Sequence, residues 1–297
     1  MSAPRVIGVD VGGTKILAGV LDPDGGVLER REVPTPISSQ DALLDGLAAS
    51  VRALPQDDVR AVGFGLPSRI DQPTGMALGA VNIPLRDVPF RDLMQERLRL
   101  PVGVDNDGNL AAYAEWRLGA GRGTRTMLML TLGTGIGGGV IIDGRPYRGW
   151  AELGHVVVVA DGDPCPGACT GRGHLEAVAS GTAADRRARR LLGPEARAGQ
   201  LVERARAGDA AARAELAEMG RLLGAAIGSF VNVFGPELVV LGGGFGLGAW
   251  DLLMEPALEV AHREALAPSG ERIRVVEAAL GEEAGLIGAG LLAAELL

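Results

Sequence analysis

The run Asp105-Asn106-Asp107-Gly108-Asn109 sets carboxylates and amides side by side where an apolar stretch, Pro101 to Val104, gives way to a helical pattern. A carboxylate held at such a strand-to-helix junction can accept a hydroxyl proton while a phosphoryl group is transferred, and Asp107 is the candidate base. Asn and Asp also favour helix caps, a task that would suit Asp105 or Asn109. Three polar residues in succession exceed what capping requires. A second kind of chemistry is written in Leu128 to Gly149, where Met127 to Leu132 enters a turn containing Gly133, Gly135, Gly137, Gly138 and Gly139 and Val140 to Ile142 leaves it. Glycines remove side chains where something must approach the backbone, and a row of N–H groups beside Thr134 suits phosphate oxygens. A bulged hairpin with no ligand would carry the same pattern.

The beginning of the chain repeats the arrangement. Val6 to Gly25 reads as a strand, a small turn (Gly12, Gly13, Thr14), a second strand (Ile16 to Leu21) and an Asp-Gly signal, as Asp143-Gly144 supplies for the other run. Two such hairpins about 120 residues apart indicate an internal duplication whose loops serve one nucleotide. Neither fits the G-x-x-x-x-G-K-[ST] loop, and neither opens onto a helix as the dinucleotide fingerprint requires.

Glu152-Leu153-Gly154-His155 follows the central hairpin, and both cysteines and two of the three histidines fall between positions 155 and 174. His155, Cys165, Cys169 and His174 make an acceptable tetrahedral zinc set; two thiols and a hydrogen-bonded core histidine are the alternative. His262 stands apart and reads as a surface residue.

Behind these groups stands a chain of 297 residues, 47% hydrophobic, long enough for two domains. Its net charge of −8 argues against nucleic acid, and Arg186 to Arg190 reads as a solvated helix face. No apolar run reaches the roughly 18 residues of a membrane span. The first strand starts near Arg5, which leaves no space for a signal peptide, so a cytoplasmic protein with reduced thiols is expected. Helices are expected over Gln40 to Leu54, Phe90 to Leu100, Asn109 to Leu118, most of Leu175 to Leu192 and Gln200 to Phe234, Trp250 to Leu266 and Ala284 to Leu297. Further strands are expected at Val59 to Leu66, Leu238 to Leu241 and Ile273 to Ala278, with a long irregular loop over 69–90 that carries Asn82. Gly119 to Thr124 is the candidate domain boundary, giving a smaller α/β domain (1–119, with the helix near 284–297 packing back on it) and a larger one (120–283). Alternating strands and helices in two similar halves indicate α/β layering.

Taken together, Asp10-Val11-Gly12-Gly13-Thr14-Lys15, Asn106-Asp107, Leu132 to Gly139, Glu152-x-Gly-His155 and Gly173-His174-Leu175-Glu176 make the whole chain resemble the ROK family of sugar kinases, and most of all its ATP-dependent glucokinases. That resemblance implies a two-lobed actin-like ATPase (ribonuclease H-like) fold with duplicated mixed-sheet domains, and ATP with Mg2+ as donor. Transfer would go to the 6-hydroxyl of glucose. The alternatives are N-acetylglucosamine, N-acetylmannosamine, fructose or allose as acceptor, polyphosphate as donor, or a non-catalytic sugar-sensing regulator. A regulator would carry an added DNA-binding domain, for which the start of the chain leaves no space.

By the same resemblance Asp107 is the base, and Asn106, Glu152, His155 and Glu176, with Gly65 and Asn82, bind the sugar. Gly12, Gly13, Thr14 and Lys15 with Gly133, Thr134, Gly135 and Gly137 cradle the phosphates, Asp10 lies near the magnesium, and Gly242, Gly243 and Gly244 approach the adenosine. The family's C-x-C-G-x-x-G-C zinc motif is altered here: Cys169 matches its second cysteine, Gly167 and His174 stand in the places of the first and third, and Cys165 comes two residues early. A structural Zn2+ on His155, Cys165, Cys169 and His174 remains the expectation. Homodimerisation is also implied.

Overall fold

The computed structural model describes residues 4–80, 82–167 and 169–297. Its first part runs β1 (Arg5–Val11), β2 (Lys15–Leu21), β3 (Val27–Pro34), α1 (Gln40–Arg52), β4 (Val59–Leu66), β5 (Ser68–Asp71), β6 (Met76–Ala80), α2 (Phe90–Leu98), β7 (Val102–Asn106) and α3 (Asp107–Leu118). Then follow β8 (Met127–Leu132), β9 (Ile136–Ile142), β10 (Arg145–Pro146), α4 (Leu175–Ala179), α5 (Gly181–Leu192), α6 (Ala198–Arg206) and α7 (Ala210–Phe234). The chain closes with β11 (Leu238–Gly242), α8 (Gly244–Gly248), α9 (Trp250–Glu264), β12 (Val275–Glu277) and α10 (Ala284–Ala294). There are two compact units: Met1–Arg122 with Pro146–Ala151 and Glu282–Leu297, and Gly123–Arg145 with Glu152–Gly281.

Each unit is built on a five-stranded sheet, and the two sheets have the same plan. The orders are β3-β2-β1-β4-β7 and β10-β9-β8-β11-β12, so the third, second, first, fourth and fifth strands of each set lie side by side. In both, the first hairpin is antiparallel and the later strands join in parallel. The duplication signalled by the two glycine hairpins is therefore a duplication of whole sheets.

In the first unit the sheet is covered differently on its two faces. Ile7, Val9, Val11 and Phe64 pack with Leu43, Leu47, Phe90 and Met94 of α1 and α2. On the opposite face Gly8, Gly63 and Gly103 lie in one row across β1, β4 and β7. A Cβ on Gly63 would stand 1.9 Å from the Ala289 carbonyl oxygen, and one on Gly8 2.3 Å from that of Leu286. The missing side chains let α10 lie directly on the strands, so the end of the sequence completes this unit. The second unit obtains the same closeness between helices: Gly220, Gly224 and Gly228 of α7 face Leu253, Ala257 and Ala261 of α9.

The structure corrects the sequence reading in four places. Gly137, Gly138 and Gly139, expected in the turn after Leu132, belong to β9, which begins at Ile136 and not at Val140, because glycines paired across to β8 extend the strand without an apolar signal. The stretch expected to be an irregular loop over 69–90 contains the β5–β6 hairpin, which turns through Pro73-Thr74-Gly75; its prolines and glycines hide the short alternation on either side. Strand β3 was not foreseen because Glu29, Arg30, Arg31 and Glu32 give it the charged, exposed face of an edge strand. The helix expected from Leu175 to Leu192 breaks at Ser180, whose hydroxyl accepts from Ala183 N–H and caps α5.

Candidate active site

In the first unit the sheet register brings Asp10, Gly65 and Asp105 into one row, two residues beyond the glycine row and on the same face. The Asp10 carboxylate lies under the start of α10, where a Cβ on Gly285 would come within 2.5 Å of it. That enclosure pushes Asp10 up to about 6, against the pull of Lys15. Gly65 leaves room between two acids: a Cβ there would stand 3.6 Å from Asp10 Oδ1 and 3.6 Å from Asp107 Cα. Asp107 opens α3, and its Oδ1 accepts from Gly108 N–H at 2.8 Å.

Capping of α3 falls to Asn106. Its Oδ1 accepts from the N–H groups of Gly108 (2.9 Å) and Asn109 (3.2 Å), and its Nδ2 donates to the carbonyls of Leu66 and Ser68. Asp105 is buried and turns inward, accepting from Asn109 Nδ2 at 3.0 Å and Asn106 N–H at 2.7 Å. The cap and buried partner fix the first turn of α3 and with it the Asp107 backbone.

The β1–β2 loop is closed by its own hydrogen bonds. Gly12 N–H donates to the Lys15 carbonyl at 2.9 Å, and Thr35 Oγ1 donates to the Gly12 carbonyl at 2.7 Å. Thr14 offers its carbonyl to Thr35 N–H, and Asn82 stands over Gly13, where a Cβ would come within 2.9 Å of its own. Lys15 pairs with Glu32 at 3.0 Å and Glu282 at 3.3 Å, bonds that raise its pKa.

In the second unit the corresponding loop is part of a larger construction. Glu176 accepts from Ile136 N–H at 2.8 Å, and a Cβ on Gly135 would lie 2.3 Å from Glu176 Oε2. The Gly133 carbonyl accepts from Gly181 N–H, and the Thr134 carbonyl accepts from both the N–H and the hydroxyl of Thr182. Gly137 sits opposite Thr131, its own Cβ position 3.0 Å from that hydroxyl. Gly242 ends β11, and Gly243 packs on Leu132 with φ of +86°, a conformation glycine takes without strain. Gly244 begins α8.

Gly133, Thr134 and Gly244 line a pocket of about 630 Å³ whose other walls are Gly181, Thr182, Asp185, Ala198, Gly199, Val202, Glu203, Arg206, Phe245 and Gly248. Its size is that of small-molecule sites. Reasoning from sequence missed most of these walls, because α5, α6 and α8 supply them one or two residues at a time. Ser180-Gly181-Thr182, a capping residue and a glycine before a helical pattern, was the one signal available.

His155, Cys165, Cys169 and His174 converge, with their ligand atoms all within 4.8 Å of one another. His155 Nδ1 is 3.2 Å from His174 Nδ1 and 3.5 Å from Cys165 Sγ, and Cys169 Sγ is 3.6 Å from His174 Nδ1. Zinc bonds of about 2.0–2.1 Å to nitrogen and 2.3 Å to sulfur give tetrahedral edges of roughly 3.3–3.8 Å, so the donor set has the right chemistry and the right spacing. The altered cysteine spacing therefore still closes on one point. Burial, with Cys169 beside it, pushes the Cys165 thiol up to about 12, a direction that a bound dication reverses. Gly154 packs on the Ile136 carbonyl, and the 3₁₀ turn Leu153–His155 carries the His155 ring to the cluster by Nδ1. Glu152 immediately precedes that turn.

The sites read from the sequence thus divide into Asp10 to Lys15, Gly65, Asn82, Asn106 and Asp107 in one unit and Gly133 to Gly137, Glu152 to Glu176 and Gly242 to Gly244 in the other. Among the described residues no helix is long and apolar enough to cross a membrane.

Known proteins give this geometry its relatives. The sequence pattern of the ROK family matches residues 6–295. A glucokinase of Streptomyces coelicolor is 35% identical, the alignment covering 97% of this chain and 97% of that protein. Among solved structures, a ROK family glucokinase from Streptomyces griseus in complex with glucose and AMPPNP superposes with a TM-score of 0.84 at 35% identity, covering 98% of this chain and 99% of that one. A ROK hexokinase from Thermus thermophilus gives 0.84 at 37% identity over 97% of both chains. Both sheets of the present chain accordingly have the actin-like ATPase plan of these kinases.

Proposed function

We propose that this chain, which belongs to the ROK family, is an ATP-dependent hexose kinase that moves the γ-phosphoryl group of ATP to the 6-hydroxyl of glucose. The observation that carries the reading is Asp107, a carboxylate at a capped helix start beside Gly65 and Asp10, in a chain 35% identical to a glucokinase over 97% of its length. Asp107 accepts the proton of the 6-hydroxyl as that oxygen attacks phosphorus. Asn106, Glu152, His155 and Glu176, with Gly65 and Asn82, bind and orient the sugar; acceptors matched to each hydroxyl are what make a polyol site selective. Gly133 and Thr134 hold phosphate oxygens at the rim of the pocket, and the apolar surfaces of Val202, Phe245 and Ala198 take the nucleoside.

The pocket lining supports ATP over polyphosphate. A polyanion calls for unpaired cations, whereas the lining has Asp185 and Glu203, and its one arginine, Arg206, is bound to Asp251 at 2.6 Å. Asp10 would hold the magnesium ion, which supplies charge neutralisation at the transferred group. The Cys2His2 cluster would hold a structural Zn2+ that fixes His155 through Nδ1 and directs Nε2 to the sugar. Metal analysis of the purified chain is expected to find about one zinc per chain, lost in Cys169→Ser. The resemblance extends the proposal to a cytoplasmic homodimer.

The test is Asp107→Asn. Turnover falls by roughly 10³-fold or more while glucose binding stays within about threefold of wild type. Turnover within tenfold of wild type removes Asp107 from the role.

A further inference from the structure

Trp150 is 57% exposed, yet its ring is held in one orientation. Its indole Nε1 donates to the Ile70 carbonyl at 3.2 Å, and Arg69 Cζ lies over the ring 5.5 Å from a centroid. The polar edge is therefore satisfied and one face carries a cation, which leaves the exposure to the rest of the apolar ring. The segment bearing the ring is tied to the ground around Asp107. From the first turn of α3, Asn109 Nδ2 donates to the Gly149 carbonyl at 3.5 Å, and Asn106 Nδ2 donates to the carbonyl of Ser68, the residue before Arg69. Arg148 pairs with Glu295 just beyond α10. In the chain, Trp150 comes two residues before Glu152. A water-exposed indole fixed at its polar edge and on one face gains nothing for the core; it offers a rigid apolar plate with few rotamers to freeze.

We infer that the exposed face of Trp150 is a stacking plate for the acceptor sugar and sets its selectivity for the gluco configuration. The inference rests on the kinase reading for the identity of the sugar. Glucopyranose carries its ring hydroxyls equatorially at C2, C3 and C4, so axial C–H groups form apolar faces that match an aromatic ring. An axial hydroxyl on the stacked face would be pressed against the ring and stripped of water without a partner.

The test compares wild type, Trp150→Ala and Trp150→Phe, with thermal melting to establish that each is folded. Glucose binding is measured by calorimetry without nucleotide, and KM and kcat are measured for glucose, mannose and allose. Trp150→Ala is expected to weaken glucose binding about tenfold and raise KM in proportion, with kcat within about twofold, while Trp150→Phe restores binding to within about threefold. Mannose and allose carry their axial hydroxyls on opposite faces, so the one whose discrimination collapses in Trp150→Ala identifies the stacked face. Unchanged glucose affinity in Trp150→Ala overturns the inference, as does equal weakening in Trp150→Phe. A wild type that binds glucose through Trp150 but transfers no phosphoryl group overturns the kinase reading alone. One that phosphorylates glucose as well with alanine at 150 overturns only the stacking.

Discussion

The β1–β2 and β8–β9 hairpins hold the same place in equivalent sheets, and their loops do different work. In the first, Gly12 N–H turns back on the Lys15 carbonyl and Lys15 is shared between Glu32 and Glu282. What that hairpin contributes is Asp10, one residue from its end and enclosed beneath α10. In the second, Thr182 and Gly181 hold the loop from outside, Glu176 braces it from below, and Gly133 and Thr134 form the edge of a pocket of about 630 Å³. Duplication copied the scaffold and left each loop to be specialised by its surroundings. Glycine count does not separate the turns: Gly12 and Gly13 make the first and Gly133 and Gly135 the second, while Gly137, Gly138 and Gly139 are strand residues of β9 paired with β8.

Substitutions in the two loops should separate them. Gly135→Ala drives a Cβ into Glu176 and is expected to lower kcat/KM for ATP about 100-fold, the scale of losing a preorganised donor to a phosphoryl oxygen. Gly12→Ala meets only the Lys15 carbonyl at 3.0 Å and should cost less than about tenfold, measured with glucose saturating. The reverse order would make the first loop, and not the second, the one that meets the phosphates.

Asp10→Asn should set the first hairpin apart through stability. Burial lifts Asp10 to about 6 from 3.8, so the folded chain keeps a proton that the unfolded chain releases near pH 4. The resulting penalty is absent below about pH 4, grows between 4 and 6 and is complete above 6, where it is roughly 3 kcal/mol. In urea titrations the variant should be more stable than wild type by that order at pH 7 and equal to it at pH 3.5. In wild type, kcat/KM for ATP should rise with pH through about 6, and the variant, with much lower activity, should lack that limb. Equal stability at pH 7 would contradict the enclosed charge.

Lys15→Ala is the smallest change expected. A lysine already neutralised by two glutamates has little charge left for a phosphate, so kcat/KM for ATP should stay within about threefold. A loss of 100-fold would make the first loop a phosphate cradle equal to the second.

Both hairpins, the strand-to-helix junction that carries Asp107 and the convergence of Cys165, Cys169 and His174 were legible in the sequence because each is local: a strand, its turn and the next residues carry the whole signal. What was not legible depends on partners far along the chain. Glu282 reaches Lys15 across 267 positions, and the pocket walls at Asp185, Glu203 and Phe245 come from three helices whose sequences carry only core periodicity. Strand β3 escaped because an edge strand lined with charge has no apolar alternation to show. The capping role of Asn106 was misplaced onto its neighbours because three polar residues in a row satisfy the same rule, and only the backbone of β7 decides which of them stands first.

Sugar-dependent ADP release by the purified chain with magnesium and ATP tests the kinase assignment. The acceptors are glucose, N-acetylglucosamine, N-acetylmannosamine, mannose, fructose and allose, with a sugar-free control and polyphosphate as the second donor. Turnover should be fastest on glucose with ATP, with glucose 6-phosphate as product and little release without sugar. No sugar-dependent release from ATP, or transfer from polyphosphate in its place, would rule out an ATP-dependent glucokinase.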